Sequence, residues 1–155
     1  MRAKLWIMCG RAFSGKSTLA REIALQNGAP VVSLDEINLE RGLISGDGLD
    51  VSAWIETTRI AHERVSSFLN KGQSVVVDDT NSLKFLRDAW RKIALECDSE
   101  FEIVWLPISI EEQQSRVRAN RKTQSRADIL DDVLKIHNDT FEEPTQEELA
   151  RQNTL

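Results

Sequence analysis

The hydrophobic residues of this chain follow two alternating patterns. Short, almost uninterrupted apolar runs are typical of strands that are buried on both faces of a sheet. Between these runs, apolar side chains recur every three or four residues, which is the period of an amphipathic helix. The apolar runs predict strands at residues 5–9, 30–34, 74–77 and 101–106. The helical periodicity predicts helices at residues 16–25, 51–70, 82–96, 110–120 and 127–141.

The order of these elements predicts the fold class. Strands that alternate with helices form a parallel sheet with helices on both faces, so we expect an α/β fold. The length of 155 residues suits one hydrophobic core, and we expect a single domain over residues 1–155. We expect Ser82 to cap the helix at 82–96, glycine-rich residues 42–48 to form a loop, and the polar tail at 144–155 to be helical or loose.

Residues 10–18 read Gly-Arg-Ala-Phe-Ser-Gly-Lys-Ser-Thr and match the phosphate-binding P-loop pattern. In this pattern the backbone N–H groups surround the phosphates, Lys16 reaches the β- and γ-phosphates, and the Ser17 hydroxyl ligates Mg²⁺. Phe13 is unusual at a P-loop position where many small P-loop kinases have glycine, because a residue with a side chain disfavours positive φ. We therefore expect a loop of slightly different shape, or a Phe13 ring that covers the phosphates or the base. The predicted nucleotide-binding residues are Gly10, Arg11, Ala12, Phe13, Ser14, Gly15, Lys16, Ser17 and Thr18.

Acidic residues follow two other predicted strands, where ligands of α/β sheets usually bind. Asp78 and Asp79 come after the strand at 74–77, as in a Walker B element whose carboxylate holds Mg²⁺. Either carboxylate could serve the metal, and the alternative is an Asx turn at the strand end. Asp35 ends the second strand and is a candidate general base that accepts the proton of an acceptor hydroxyl. Its alternative role is to cap a helix that starts at Glu36.

Residues 116–126 are rich in arginine and lysine and lie at the end of a predicted helix. Arginine at this place could hold the γ-phosphate as charge shifts in the transition state of phosphoryl transfer. The alternative is a solvated basic surface that the dipole of the helix C-terminus favours.

Composition narrows the class of protein. The formal net charge is −5, so a general nucleic-acid coat protein is excluded and any nucleic acid would bind a local patch. No apolar run approaches the roughly 20 residues that span a bilayer, so no membrane association is expected. Cys9 and Cys97 form neither a metal-binding pattern nor a disulfide framework, and residues 1–4 lead directly into the first strand without a signal peptide. We therefore expect a cytoplasmic protein.

The P-loop, residues 34–37, 77–81 and 141–144, and the arginine-rich segment together resemble the small P-loop kinases of the AAA_33 type. The similarity spans about residues 3–144, and the chain is similar to the 5′-kinase domain of phage polynucleotide kinase. It implies a P-loop NTPase fold with an adenylate-kinase-like parallel sheet of about four or five strands. It also implies ATP with Mg²⁺, and a lid at about 118–127. The resemblance implies that the catalytic residues are Lys16, Asp35, Arg118 and Arg121. Arg126 is an alternative to these two arginines. The implied metal-binding residues are Ser17, Asp78 and Asp79.

One departure bears on the substrate. The family often has arginine three residues after the base, where this chain has Asn38, and Arg41 follows one helical turn later. The acceptor is therefore open between a nucleic-acid 5′ end and a small hydroxyl-bearing molecule. The leading hypothesis is an ATP-dependent phosphotransferase. The alternatives are a nucleotide-hydrolysing switch without an acceptor and an inactive P-loop protein.

Overall fold

The computed structural model describes residues 2–43 and 49–151. Its centre is a four-stranded, all-parallel sheet with the strand order β2-β3-β1-β4. The strands are β1 (Lys4–Cys9), β2 (Val31–Ser33), β3 (Val75–Asp78) and β4 (Glu100–Trp105). The α/β fold with a parallel sheet, predicted from the alternating hydrophobic pattern, is confirmed.

The helices are α1 (Lys16–Asn27), α2 (Leu34–Glu40), α3 (Val51–Asn70), α4 (Lys84–Glu96), α5 (Ile110–Thr123), α6 (Asp131–Thr140) and α7 (Gln146–Ala150). The predicted bounds of α3 are confirmed. Helix α2 follows β2 directly and agrees with the alternative in which a helix continues from Glu36. Helix α7 forms within the polar tail that was expected to be helical or loose. Of the loop predicted at 42–48, residues 44–48 lie outside the described residues.

Two helix starts differ from the sequence-based expectation. The cap of α2 is Ser33, whose hydroxyl accepts a hydrogen bond from the Glu36 backbone N–H, so Asp35 lies inside the helix. The prediction that Ser82 caps α4 is wrong, because α4 begins at Lys84. The Ser82 carbonyl instead accepts a hydrogen bond from the Glu142 backbone N–H at 2.8 Å, which ties this turn to the C-terminal segment.

The sheet buries apolar side chains on both faces because alternate residues of a strand point in opposite directions. On one face, Ile7 and Val77 pack with Val65 of α3 and Trp90 of α4. On the other face, Met8 and Val76 pack with Ala20 and Ala24 of α1. Burying a side chain of this size contributes about 1.5–3 kcal/mol, so these two layers hold the helices on the sheet.

The strand order places the ends of β1, β2 and β3 side by side. The parallel register pairs Ile7 with Val77 and Ser33 with Asp78, so all three strands end at one edge of the sheet. The P-loop, the start of α2 and the loop after β3 therefore emerge together. Within residues 2–43 and 49–151, no helix is both long and apolar enough to cross a lipid bilayer.

Candidate active site

The P-loop is a tight turn between β1 and α1. The Gly10 N–H donates to the Thr80 carbonyl at 3.1 Å, which joins the start of the loop to the segment after β3. A Cβ atom on Gly10 would lie 2.7 Å from the Ser14 Oγ and 3.0 Å from the Leu106 carbonyl oxygen, so only glycine fits. Gly15 caps α1 with φ of 95°, a conformation that glycine adopts without strain. The free N–H groups of this turn and the helix terminus together form an anion-binding site.

Lys16 lies at the start of α1, among the charges of the candidate site. Its Nζ donates a hydrogen bond to the Arg11 carbonyl at 2.9 Å. Burial lowers the pKa of Lys16, and the negative charges of Asp78 and Asp79 oppose that shift. The negative charge of Asp35 also raises the pKa of Lys16, whereas the positive charge of Arg126 lowers it further.

Asp79 holds its proton more tightly than a solvent-exposed aspartate. Burial raises its pKa to about 6, and the neighbouring charge of Asp35 raises it too. The backbone N–H groups of Thr80 and Asn81 act in the opposite direction. A cation bound between these carboxylates would offset both unfavourable effects, so the donor set suits a metal ion.

The loop after β3 is held by a buried asparagine. Asn81 is fully buried and has φ of 46°, in the left-handed region. Its Nδ2 donates to the Met8 carbonyl at 2.7 Å, and its Oδ1 accepts from the Trp90 Nε1 at 3.0 Å. Its carbonyl accepts from Arg87 Nη1 at 2.9 Å. These bonds fix the position of Asp79 relative to β1.

Helix α2, which carries Asp35, packs against α3. Asp35 is exposed in the first turn of α2. One turn later, the buried Asn38 accepts a hydrogen bond from the Thr57 hydroxyl at 2.5 Å. Arg41 Nη1 donates to the same hydroxyl at 2.6 Å and to the Ala53 carbonyl at 2.7 Å. The guanidinium of Arg41 is thus bound to α3.

The structure brings Arg126, among the three candidate arginines, into contact with the P-loop. The Arg126 guanidinium lies 4.0 Å from the centre of the Phe13 ring. Arg121 is engaged by the carboxylates of Asp128 at 3.2 Å and Asp131 at 2.7 Å. Arg118 is exposed and takes part in no hydrogen bond or ion pair within the described part of the chain. The catalytic roles of Arg118 and Arg121 stay predictions.

Sequence patterns did not reveal the contacts that support the P-loop from outside. From α5, Gln113 Nε2 donates to the Ala12 carbonyl at 3.0 Å, and Arg116 Nη1 donates to the Phe13 carbonyl at 2.8 Å. From the C-terminal segment, Glu143 pairs with Arg11 at 2.8 Å. Arg116 and Glu143 lie in segments that the sequence analysis names, but their P-loop partners are far away in the sequence, so the contacts themselves were not predicted.

The residues present suit a nucleotide with Mg²⁺. Mg²⁺ usually keeps several waters and needs only one or two carboxylates, together with substrate phosphates. Ser17 offers a hydroxyl, and Asp78 and Asp79 offer carboxylates at the adjoining strand end. In the described ranges, no cluster of three or more acidic, histidine or cysteine side chains forms a closed metal cage.

Solved structures with the same fold include several nucleotide-binding proteins. A chain of the Pnkp1/Rnl/Hen1 RNA repair complex superposes with a TM-score of 0.73 at 23% identity, covering 90% of this chain and 44% of that one. A gluconokinase from Sinorhizobium meliloti gives 0.70 at 21% identity, covering 96% and 81%. Kti12 from Chaetomium thermophilum, in complex with ADP–AlF3, gives 0.71 at 19% identity, covering 92% and 82%.

These similarities extend over most of this chain, but this chain spans less than half the length of the chain matched in the RNA repair complex. No curated protein matches it in sequence. A family model described as an AAA domain, AAA_33, matches residues 5–144, which include the P-loop, the strand-end carboxylates and the arginine-rich segment. The chain therefore belongs to the AAA_33 family.

Proposed function

We propose that this protein is a P-loop kinase that transfers the γ-phosphate of ATP to a hydroxyl group. The observation that carries the proposal is the position of Asp35. Its charge acts on both Lys16 and Asp79, although nucleotide binding by the P-loop requires no carboxylate after β2. A carboxylate beside the γ-phosphate position is what transfer to a hydroxyl needs.

The residues divide the work of the reaction. The P-loop N–H groups and Lys16 bind and orient the phosphates, with Ser17 and the Asp78–Asp79 pair as the candidate metal ligands. Mg²⁺, when bound, neutralises developing charge on the phosphates. Asp35 orients the acceptor hydroxyl and accepts its proton as the oxygen attacks. The exposure of Asp35 leaves it reachable for an acceptor from solvent.

Arg126 is our first candidate for the lid arginine that stabilises the transferring phosphoryl group. Its charge acts on Lys16, and its guanidinium lies over the P-loop residue Phe13. Arg121 would first have to leave Asp128 and Asp131. Arg118, which the sequence also predicts as catalytic, is exposed. It would reach the phosphates only if the lid at about residues 118–127 moved toward them.

The acceptor hydroxyl could belong to a small molecule or to a nucleic-acid end. Arg41 Nη1 is bound to the Thr57 hydroxyl and the Ala53 carbonyl, which orients the guanidinium toward α3. The neutral, buried Asn38 occupies the preceding turn. Both observations favour a small molecule. The structural relatives described as a gluconokinase and as an APS kinase solved with APS are consistent with acceptors of that size.

A nucleotide-hydrolysing switch is the second candidate function. The exposure of Asp35 favours it, since water can reach the same carboxylate and take the place of an acceptor hydroxyl. The similar Kti12 structure with ADP–AlF3 is compatible with a site that turns over nucleotide.

Transfer of γ-labelled phosphate to a panel of sugars, nucleosides and 5′-hydroxyl oligonucleotides would test the proposal. Lys16→Ala is expected to abolish nucleotide binding. Asp35→Asn is expected to keep ATP binding and to lower transfer by a factor of about 10² or more. Glu36→Gln is the matched control, because Glu36 is the exposed neighbour in the same helical turn.

One outcome would contradict the assignment of the base, and another would contradict the kinase assignment. If Asp35→Asn left transfer to the true acceptor intact, Asp35 would not be the base. If wild-type protein released phosphate steadily but labelled no acceptor, the switch would be the better description.

A further inference from the structure

Phe13 has an unfavourable backbone conformation for a residue with a side chain. Its φ is 67°, in the left-handed region that glycine adopts freely. Strained residues of this kind persist where the surrounding structure holds them. Here the surroundings are apolar: the Phe13 side chain is 5% exposed and packs with Val117 of α5 and Leu134 of α6. The P-loop is thereby anchored to α5, which contains most of the arginine-rich segment, and to α6, which follows that segment.

The outer face of the Phe13 ring contacts Arg126. The distance of 4.0 Å between the guanidinium carbon and the ring centre is within the range of a cation–π interaction. The Arg126 main chain is held separately by the buried side chain of Asn120. Asn120 Nδ2 donates to the Arg126 carbonyl, and the Arg126 N–H donates to Asn120 Oδ1, both at 3.0 Å. Asn120 thus anchors the backbone of Arg126, and the ring is the contact that orients its charged end.

Arg126 is also electrically close to the phosphate site, since its charge adds to the effect of burial in lowering the pKa of Lys16. Lys16 begins α1, three residues after Phe13. Phe13 therefore connects a cation at the lid with the loop that binds the nucleotide.

We propose that Phe13 is a positioning residue that holds the Arg126 guanidinium over the P-loop, facing the γ-phosphate. This inference rests on the proposed phosphoryl transfer. Phe13 touches Arg126 and acts through it, so the contribution of the ring should disappear when Arg126 is absent. A residue that only filled the apolar cluster would contribute equally with and without Arg126.

A double-mutant cycle of Phe13→Leu and Arg126→Ala tests the coupling. Calorimetry with Mg²⁺ measures how much more tightly each protein binds ADP with aluminium fluoride than ADP alone, a preference that requires no acceptor. Arg126→Ala should lower this preference about tenfold or more. Phe13→Leu should lower it about three- to tenfold in the wild-type background and less than about twofold in the Arg126→Ala background.

The controls separate orientation from packing. Leu134→Ala removes a buried contact from the same cluster and should lower thermal stability without reducing the preference for aluminium fluoride. Phe13→Tyr keeps the ring and should retain most of the preference. Phe13→Met provides a second ring-free variant if Phe13→Leu unfolds the chain, which thermal denaturation would show.

Equal losses from Phe13→Leu in both Arg126 backgrounds would overturn the inference and leave the kinase proposal standing. The inference would also be overturned if Leu134→Ala lost the preference for ADP with aluminium fluoride over ADP alone. If the wild-type protein bound ADP with aluminium fluoride no better than ADP, both the inference and the proposed phosphoryl transfer would fail.

Discussion

Asp79 is a residue whose proton affinity is changed by its surroundings. Its ordinary pKa of 3.8 rises to about 6 because the carboxyl is buried and because Asp35 is close. Burial lowers the pKa of Lys16, which favours its neutral form. Both residues carry their charges at a cost in the nucleotide-free protein, and a bound metal–nucleotide complex would compensate each of them.

The raised pKa of Asp79 predicts how stability depends on pH without nucleotide or metal. Between about pH 4 and pH 6 the folded protein keeps a proton that the unfolded chain has released, so the free energy of unfolding falls as pH rises through this window. Relative to Asp79→Asn, the wild type should lose up to about 1.4 kcal/mol per pH unit there and no more above it. Urea unfolding at a series of pH values, with a chelator present, measures the difference.

Asp35→Asn provides a control for this pH effect. Removing the charge of Asp35 should lower the pKa of Asp79 in the folded protein, so the upper end of the window should fall while its lower end, set by the unfolded chain, stays at about pH 4. A stability difference between wild type and Asp79→Asn that did not vary with pH would show that Asp79 titrates normally.

At the scale of elements, one buried ion pair joins the C-terminal segment to the active-site loop. Arg87 of α4 is 1% exposed and makes a two-pronged pair with Glu148 of α7 at 2.9 and 3.2 Å. Arg87 also donates to the carbonyls of Asn81 and Glu142, both at 2.9 Å. A short terminal helix therefore supports the loop that carries Asp79.

Loss of one partner of this pair should be costly, because the other charge would stay buried and unpaired. We expect Glu148→Ala to lower the free energy of unfolding by about 3 kcal/mol and to weaken ATP binding through the loop at Asn81. Glu147→Ala is the matched control, since its pair with Arg151 is exposed and should matter by less than about 1 kcal/mol. Urea unfolding followed by tryptophan fluorescence compares the two, and equal losses would argue against the supporting role.

At the scale of the whole molecule, the strand order places the nucleotide site in the middle of the sheet. The P-loop follows the central strand β1, and the candidate metal carboxylates follow its neighbour β3. A ligand at this edge contacts segments from distant parts of the chain, so binding should stabilise the folded protein as a unit.

Nucleotide binding should therefore raise the melting temperature of the entire protein. At a concentration 100 times its dissociation constant, a non-hydrolysable ATP analogue with Mg²⁺ should add about 2.7 kcal/mol to the free energy of unfolding. Asp35→Asn should keep this stabilisation, and Lys16→Ala should lose most of it. Differential scanning fluorimetry measures the shift in melting temperature. Lys92→Ala is the control, because Lys92 is an exposed lysine on α4. An unchanged shift in Lys16→Ala would place the nucleotide elsewhere.

The sequence by itself determined the alternating strands and helices, the P-loop and the carboxylates at the strand ends. These features are local: apolar spacing reflects which side chains a strand or helix buries, and the P-loop pattern reflects the backbone geometry that a phosphate requires. The confirmed α/β fold and the bounds of α3 follow from such local preferences. The sequence offered α2 and α7 only as alternatives and did not predict their bounds, because each helix is short and has little hydrophobic periodicity.

Only the tertiary structure decided which distant groups meet. It placed β3 between β1 and β2, brought Arg126 rather than Arg121 to the P-loop, and paired Arg87 with Glu148. It also allowed Phe13 a positive φ, because packing against α5 and α6 compensates for local strain. These arrangements depend on contacts between residues far apart in the sequence, and the energies of such contacts leave no periodic pattern along the chain.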